Sequence, residues 1–231
     1  MKIPDSVERG IEEVKKGRLV LIYDAEDREG ETDFVLPASF VTPRKVAYFR
    51  REAGGLICVA VHAAAAERLG LPLMSDILRN FAPLKKMVEG TGDLSYDRRS
   101  SFSLWVNHRE TFTGITDRDR SLTIKKVGEA VEKVLSGKDY DFYSEFRTPG
   151  HVSILRAANG LLEERRGQTE LSVALALLAG ISPPAAVICE MLDSKTGNAV
   201  SKSDAKSFAA ERGLVFLEGK EIIKAYKTFF K

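Results

Sequence analysis

Residues 19–34 read LVLIYDAEDREGETDF: the apolar run Leu19, Val20, Leu21, Ile22 passes directly into twelve positions that hold six carboxylates and one arginine. A short apolar run of this kind predicts a buried strand. The acidic stretch then forms the loop at the strand's end, where open α/β sheets commonly place ligand chemistry. Asp24, Glu26, Asp27, Glu29, Glu31 and Asp33 repel one another unless something positive is shared among them. A hard divalent cation, held by one or two carboxylates with water and substrate oxygens completing its shell, meets that need. An ordinary solvated loop is the alternative. Arg28 pairs with a neighbour or with a substrate anion.

Outward from this stretch, helical and strand signals alternate. Asp5 and Glu8 predict a capping box for a helix with Val7, Ile11 and Val14 on one face, stopped at Gly17. Thr42 and Pro43 form a cap and first-turn pair for a helix reaching Gly54 and Gly55, followed by the buried strand LICVAVH, residues 56–62. Residues 79–101 are the one irregular stretch, and a loop that long in a compact domain is usually functional or mobile, here a candidate lid. FSLWVNH is a strand, and Ile124, Val127, Val131 and Val134 give the next helix its face. VSILRAA and AAVICEML read as strands around the helix ELSVALALLAG. A capped helix at about 203–212, the strand LVFLE and a terminal helix close the chain. This interleaving predicts an α/β fold (α+β in some schemes): a mixed β-sheet covered by helices on both faces, with residues 1–231 as a single domain. Hairpin-like neighbours such as GNAVS favour mixed over purely parallel strands.

Lysine plus arginine (35) nearly balance aspartate plus glutamate (33), which leaves no global basic field for nucleic acid, and no basic stripe with interleaved aromatics appears. Neither a bilayer-length apolar stretch nor a signal-peptide core is present, so a cytoplasmic protein without a membrane partner is expected. Cys58 and Cys189 lie in apolar runs and read as reduced, buried thiols.

Two further clusters carry chemistry. In EERRGQTELSV, Arg165, Arg166 and Gly167 run into Gln168 and Thr169, with Thr169 positioned to cap the following helix. Guanidinium and helix-terminal N–H groups then face one spot, the layout of a phosphate site; a plain capped helix is the alternative. In TFTGITDRDR, Thr113 and Thr116 precede another helix and serve as either a cap or an anion contact. Together these features point to a phosphorylated, metal-chelating small molecule.

The motifs DAEDREGETD, TGITDRDR, RTPGHVSILRA, RRGQTEL and AAVICEM, in this order over almost the whole chain, resemble the 3,4-dihydroxy-2-butanone 4-phosphate synthases of riboflavin biosynthesis, and the 79–101 region resembles the longer archaeal form. The resemblance implies a homodimer that converts D-ribulose 5-phosphate into formate and a four-carbon ketone phosphate, using Mg2+ (or Mn2+) and no organic cofactor. It implies that Arg28, Glu29 and Asp33 meet the sugar and that Glu29 also binds the metal. Arg165 and Thr169 match the phosphate-binding ends of their motif, with Arg166, Gly167 and Gln168 between them. His151 matches a family histidine important for catalysis, and Glu190 a catalytic glutamate.

One position departs from the family. Its second metal-ligand histidine, in GHTE, is Gln168 here, in GQTE. Glutamine offers an amide oxygen, a weaker ligand with no titrating proton. His62 and His108 lie at strand ends, where structural roles are expected. A catalytically impaired relative that binds a sugar phosphate is therefore the alternative reading.

Overall fold

The apolar run at the start of the acidic stretch becomes a central strand in the computed structural model, which describes residues 3–90 and 92–230. The elements in chain order are α1 (Asp5–Lys15), β1 (Val20–Tyr23), β2 (Thr32–Pro37), α2 (Pro43–Tyr48), β3 (Cys58–Val61), α3 (Ala63–Arg68) and α4 (Met74–Arg79). There follow β4 (Phe102–His108), α5 (Asp117–Leu135), α6 (Phe142–Glu145), β5 (Phe146–Arg156) and α7 (Gln168–Leu178). The last elements are β6 (Ala185–Glu190), α8 (Lys202–Glu211), β7 (Val215–Glu218) and α9 (Gly219–Phe229). The strands form one sheet in the order β4-β5-β3-β6-β2-β1-β7. It is mixed, since β1 runs parallel to β7 and β3 to β5, while the other neighbours are antiparallel. This is the expected fold class.

Side chains alternate across the sheet with period two. Leu21, Phe34, Leu36, Val59, Val187 and Cys189 pack on the face that holds α2, α3, α5 and α8. Val20, Ile22, Val35, Cys58, Ala60, Ala186 and Ile188 face α1, α7 and α9. Phe34 anchors the register of β2: its ring is fully buried, with centroids 5.7 Å from Tyr48, 5.6 Å from Phe49 and 5.6 Å from Phe208. A one-residue slip would turn Phe34 out of this cluster and send its neighbours to the wrong face. At about 1.5–3 kcal/mol for burying one such ring, that cost helps to hold Asp33 where it is.

Several boundaries differ from the sequence expectation. Asp33 is not in a loop: the acidic stretch is a hairpin connection, residues 24–31, and the chain returns at once as β2, antiparallel to β1. Every residue of β2 is buried, so no alternation marks it as a strand. Helix α1 has Pro4 at its N-cap without a side-chain cap bond, and Asp5 and Glu8 lie in its first turn, where the helix dipole favours acids. Helix α7 begins two residues earlier than expected, with Gly167 at the N-cap, so Thr169 is a buried first-turn residue and not the cap. GNAVS contributes only a single bridge, Leu192 to Ala199. The Thr42–Pro43 start is as expected, with the Thr42 hydroxyl accepting from Lys45 N at 3.3 Å, and the helix continues as a π-turn to Gly54.

Cys58 and Cys189 are free and buried, and burial pushes both thiols up. No helix among the described residues is long and apolar enough to cross a membrane. The apolar helix α7 is covered by the sheet, α1 and α9 of its own chain.

Candidate active site

The acidic stretch splits into two groups. Glu26 and Asp27 are exposed, and Glu26 pairs with Lys202 at 3.5 Å. Asp24 is buried and shapes the hairpin by accepting from Glu29 N at 3.1 Å and Glu31 N at 3.0 Å. Glu29, Glu31 and Asp33 turn towards the sheet end. There the β2–β6 register sets Asp33 directly opposite Glu190, and parity puts both on the face covered by α7.

Their electrostatics follow from this crowding. Burial, then the charges of Glu190, Glu29, Glu31 and Asp24, push the Asp33 carboxyl well above the usual carboxylate range. Burial pushes Glu29 up to about 7, opposed by Arg165 and reinforced by Asp24 and Glu31. Glu190 and Glu31 are raised first by burial, and Glu31 further by Glu190. One oxygen of Glu190 is fixed by Leu56 N at 2.8 Å. This contact depends on Gly55, where a Cβ would stand 2.4 Å from the same carboxylate oxygen and 2.6 Å from the Glu190 carbonyl.

Gln168 opens α7 above the hairpin. Its amide nitrogen donates to Ile22 O and Glu31 O, both at 3.0 Å, which fixes the amide's orientation because a flip would set oxygen against oxygen. The side-chain oxygen Oε1 is left buried without a protein partner, as is Asp33 Oδ1. Buried acceptors of this sort normally have a donor or an ion. An amide oxygen beside carboxylates is an all-oxygen donor set, the kind that suits a hard divalent cation. Among the described residues no three His, Cys, Asp or Glu side chains converge as a metal site, so a cation here would rely on Glu29, Gln168 and non-protein oxygens.

The arginines form the next layer. Arg165 Nη1 donates to the fully buried Glu170 at 2.6 Å, and Arg165 Nε and Arg28 Nη2 both donate to Asp97 Oδ2, the latter at 2.9 Å. Glu170 also accepts from Ala158 N at 2.9 Å, which ties it to the chain ahead of α7. Beyond the arginine pair opens a polar cavity of about 1100 Å³ lined by Arg28, Asp97, Arg165 and Arg166 among others; Glu29, Asp33, Gln168 and Glu190 do not line it.

Not every expected residue joins this group. Continuing the β3–β5 and β3–β6 registers by two residues aligns His151 with Leu56 and Glu190 on one face of the sheet. That leaves His151 two strands, about 10 Å, from Glu190. It is exposed, and Asn107 holds it: His151 N donates to Asn107 Oδ1 at 2.8 Å, and the ring Nδ1 lies 3.1 Å from Asn107 Nδ2. The same amide nitrogen reaches Thr113 O at 3.5 Å. Thr116 is the N-cap of α5, accepting from Asp119 N, and the Thr113 hydroxyl donates to Asp119, so this loop is folded as a cap. Arg166 is exposed at the cavity. His62 caps α3, and His108 is buried against Glu145, both structural as expected.

Three contributors escape a sequence reading. Glu170 left a faint signal, a lone acid leading an otherwise apolar helix. Gly55 could be read only as part of a helix stop. Asp97 left none, because it lies in the irregular stretch 68 residues from Arg165.

Comparison with known proteins decides the family. The family model described as 3,4-dihydroxy-2-butanone 4-phosphate synthase matches residues 8–225. The chain belongs to this family. A 3,4-dihydroxy-2-butanone 4-phosphate synthase of Archaeoglobus fulgidus is 56% identical over 225 residues, covering 96% of this chain and 94% of that protein. One of Methanosarcina acetivorans is 55% identical over 226 residues, covering 96% and 91%. Among solved structures, a 3,4-dihydroxy-2-butanone 4-phosphate synthase in complex with two magnesium ions matches with a TM-score of 0.78 at 28% identity, over 98% of this chain and 99% of that one. As a 3,4-dihydroxy-2-butanone 4-phosphate synthase family member the chain is an enzyme of riboflavin biosynthesis, and its mixed sheet is that of the family's structures.

Proposed function

We propose that the chain converts D-ribulose 5-phosphate into formate and L-3,4-dihydroxy-2-butanone 4-phosphate, with Mg2+ (or Mn2+) and no organic cofactor, as a single-domain cytoplasmic enzyme. The observation that carries this reading is the register pair of buried Asp33 and half-buried Glu190, with Glu29 close by and an unpartnered oxygen on Gln168, in a chain of this family. The catalytically impaired alternative has no support from the comparisons.

The reaction requires enolisation, dehydration, a carbon-skeleton shift and formate release, and so repeated proton transfers. Asp33 and Glu190 face each other, and burial raises both carboxyls; two facing carboxyls can share the acid and base roles, since the ionisation of one disfavours that of the other. Glu190, fixed through one oxygen on Leu56 N, keeps its other oxygen for proton transfer. Arg28 and Arg165, with the first turn of α7 from Gly167 through Thr169, bind the substrate's phosphate and adjoining sugar oxygens. Arg166 adds positive charge at the mouth. Glu29 and Gln168 would hold the divalent ion, which when bound supplies Lewis-acid stabilisation of enediolate charge. His151, with Thr113 and Thr116 behind it, serves acid–base chemistry and substrate contact from the far flank.

That flank carries exposed apolar side chains: Phe112 is 91% exposed, Ile115 50% and Leu56 48%. The homodimer reading places a second copy over this rim. Since α7 is buried within its own chain, that helix lends the dimer no support. Sedimentation at micromolar concentration is expected to give a dimer, and a stable monomer contradicts it.

The reaction itself is tested by supplying magnesium-loaded protein with ribulose 5-phosphate or ribose 5-phosphate. Formate should appear only from the ketose, because a ketone next to the enolisable carbon is needed. Inertness towards both sugars contradicts the proposal.

A further inference from the structure

The phosphate pocket assigned above is already occupied by a carboxylate of the chain itself. Asp97 Oδ2 accepts from Arg165 Nε and Arg28 Nη2, the two guanidiniums assigned to the substrate's phosphate. Both crowd Gly167, where an added Cβ would lie 2.4 Å from Arg165 Nη1 and 3.0 Å from Arg28 Nη2, so the acceptor sits by the N-terminus of the eleven-residue helix α7. This is the environment in which a phosphate binds.

Asp97 is not what positions Arg165. Arg165 is held independently by Glu170, fully buried and itself tied to Ala158 N. Among the described residues the Arg28 guanidinium hydrogen-bonds only to the stretch that carries Asp97, through Tyr96 O and Asp97 itself, with the Asp24 carboxylate at 3.8 Å as its other charge partner. Asp97's other oxygen accepts only from the adjoining Arg98 N, a local bond that does not tie it to the sheet. The stretch that carries it has few attachments: Tyr96 O accepts from Arg28 at 3.4 Å and Arg99 pairs with Asp76 at 3.7 Å, while Arg79 and Ser100 bond to Glu89 at its base.

We propose that Asp97 is an internal anion that occupies the phosphate pocket and competes with a phosphorylated ligand for it, so that the loop that carries Asp97 is mostly latched over the pocket and a bound anion shifts it to the released state. This rests on the function proposed above. A phosphate dianion offers more charge and more acceptor oxygens than one tethered carboxylate oxygen and makes charge-assisted bonds to both guanidiniums. A neutral sugar does not. Asp97 thus acts as a specificity-determining residue, and the wild-type affinity for phosphate is reduced by the fraction of protein that is latched.

The test uses inorganic phosphate as the probe and needs no turnover. Calorimetric titration of Asp97→Ala and Asp97→Asn is expected to show phosphate binding about tenfold tighter than wild type, the gain for a pocket latched about 90% of the time. In the wild type, saturating phosphate should speed tryptic cleavage after Lys85 and Lys86 several-fold over chloride at equal ionic strength. Unchanged or weaker phosphate binding in the variants overturns the proposal, as does protection of the loop by phosphate; the wild-type digestion keeps the test valid if a variant fails to fold. Absence of formate release by the wild type would instead count against the proposed function and leaves the phosphate result standing.

Discussion

Glu190→Gln is expected to lower formate release by about 10²–10⁴-fold, the scale of a lost general acid or base, while substrate binding stays within about tenfold, or roughly 1.4 kcal/mol. The split follows from the geometry. Leu56 N donates to one oxygen of Glu190 at 2.8 Å, and the amide oxygen of glutamine can take that bond, so size, register and the neighbouring Gly55 contact are kept. What is lost is an exchangeable proton opposite Asp33. The substitution also removes one of the charges that raise the Asp33 carboxyl, while burial, the larger cause, and the charges of Glu29, Glu31 and Asp24 remain. Single-turnover kinetics paired with calorimetric binding of ribulose 5-phosphate separates the two effects. Wild-type formate release by the variant would remove Glu190 from the mechanism.

Gln168→His is expected to strengthen divalent-metal binding by about 10- to 100-fold, the scale seen when groups that support a metal are changed. The amide now present gives its nitrogen to Ile22 O and Glu31 O and leaves one buried oxygen for a ligand. An imidazole can keep one of those donor bonds and offer its other nitrogen. Gains should be larger for manganese or zinc than for magnesium, because borderline metals favour nitrogen. The variant should also lose affinity as pH falls through about 6.5, since an imidazole must be neutral to bind metal. In the wild type the metal should bind weakly alone and more tightly with substrate, whose oxygens complete the shell. Calorimetric metal titration of both proteins across pH 5.5–7.5, roughly one unit either side of that value, measures this. Equal affinities with no new pH dependence would mean that residue 168 does not face the metal.

What the sequence made legible was whatever depends on local pattern. The run at 19–22 forms β1, the AAVIC run forms β6, and Thr42 caps its helix, because burial and capping are decided within a few residues. The acid cluster was legible as a repulsion in need of a partner, but its division was not. Asp24 turns out to hold the hairpin by accepting from Glu29 N and Glu31 N, whereas Glu26 is solvated, a distinction set by how the hairpin folds. The opposition of Asp33 and Glu190 depends on a register between strands more than 150 residues apart in sequence, which no local window contains. Asp97 was hidden for the same reason: its meaning comes from two arginines that meet only in the folded chain. Thr169 was misplaced because Gly167, with no side chain, takes the N-cap itself.

The central claim is that the carboxyl pair, the arginine layer and a divalent ion together perform this carbon–carbon cleavage. It is tested most directly by stripping wild-type protein with a chelator, adding back magnesium stepwise in the presence of ribulose 5-phosphate, and quantifying formate and the four-carbon ketone phosphate together. The account predicts no product before magnesium is restored and equimolar formation of the two products afterwards. Formate at full rate in the stripped protein, or no formate at any magnesium concentration, would contradict it.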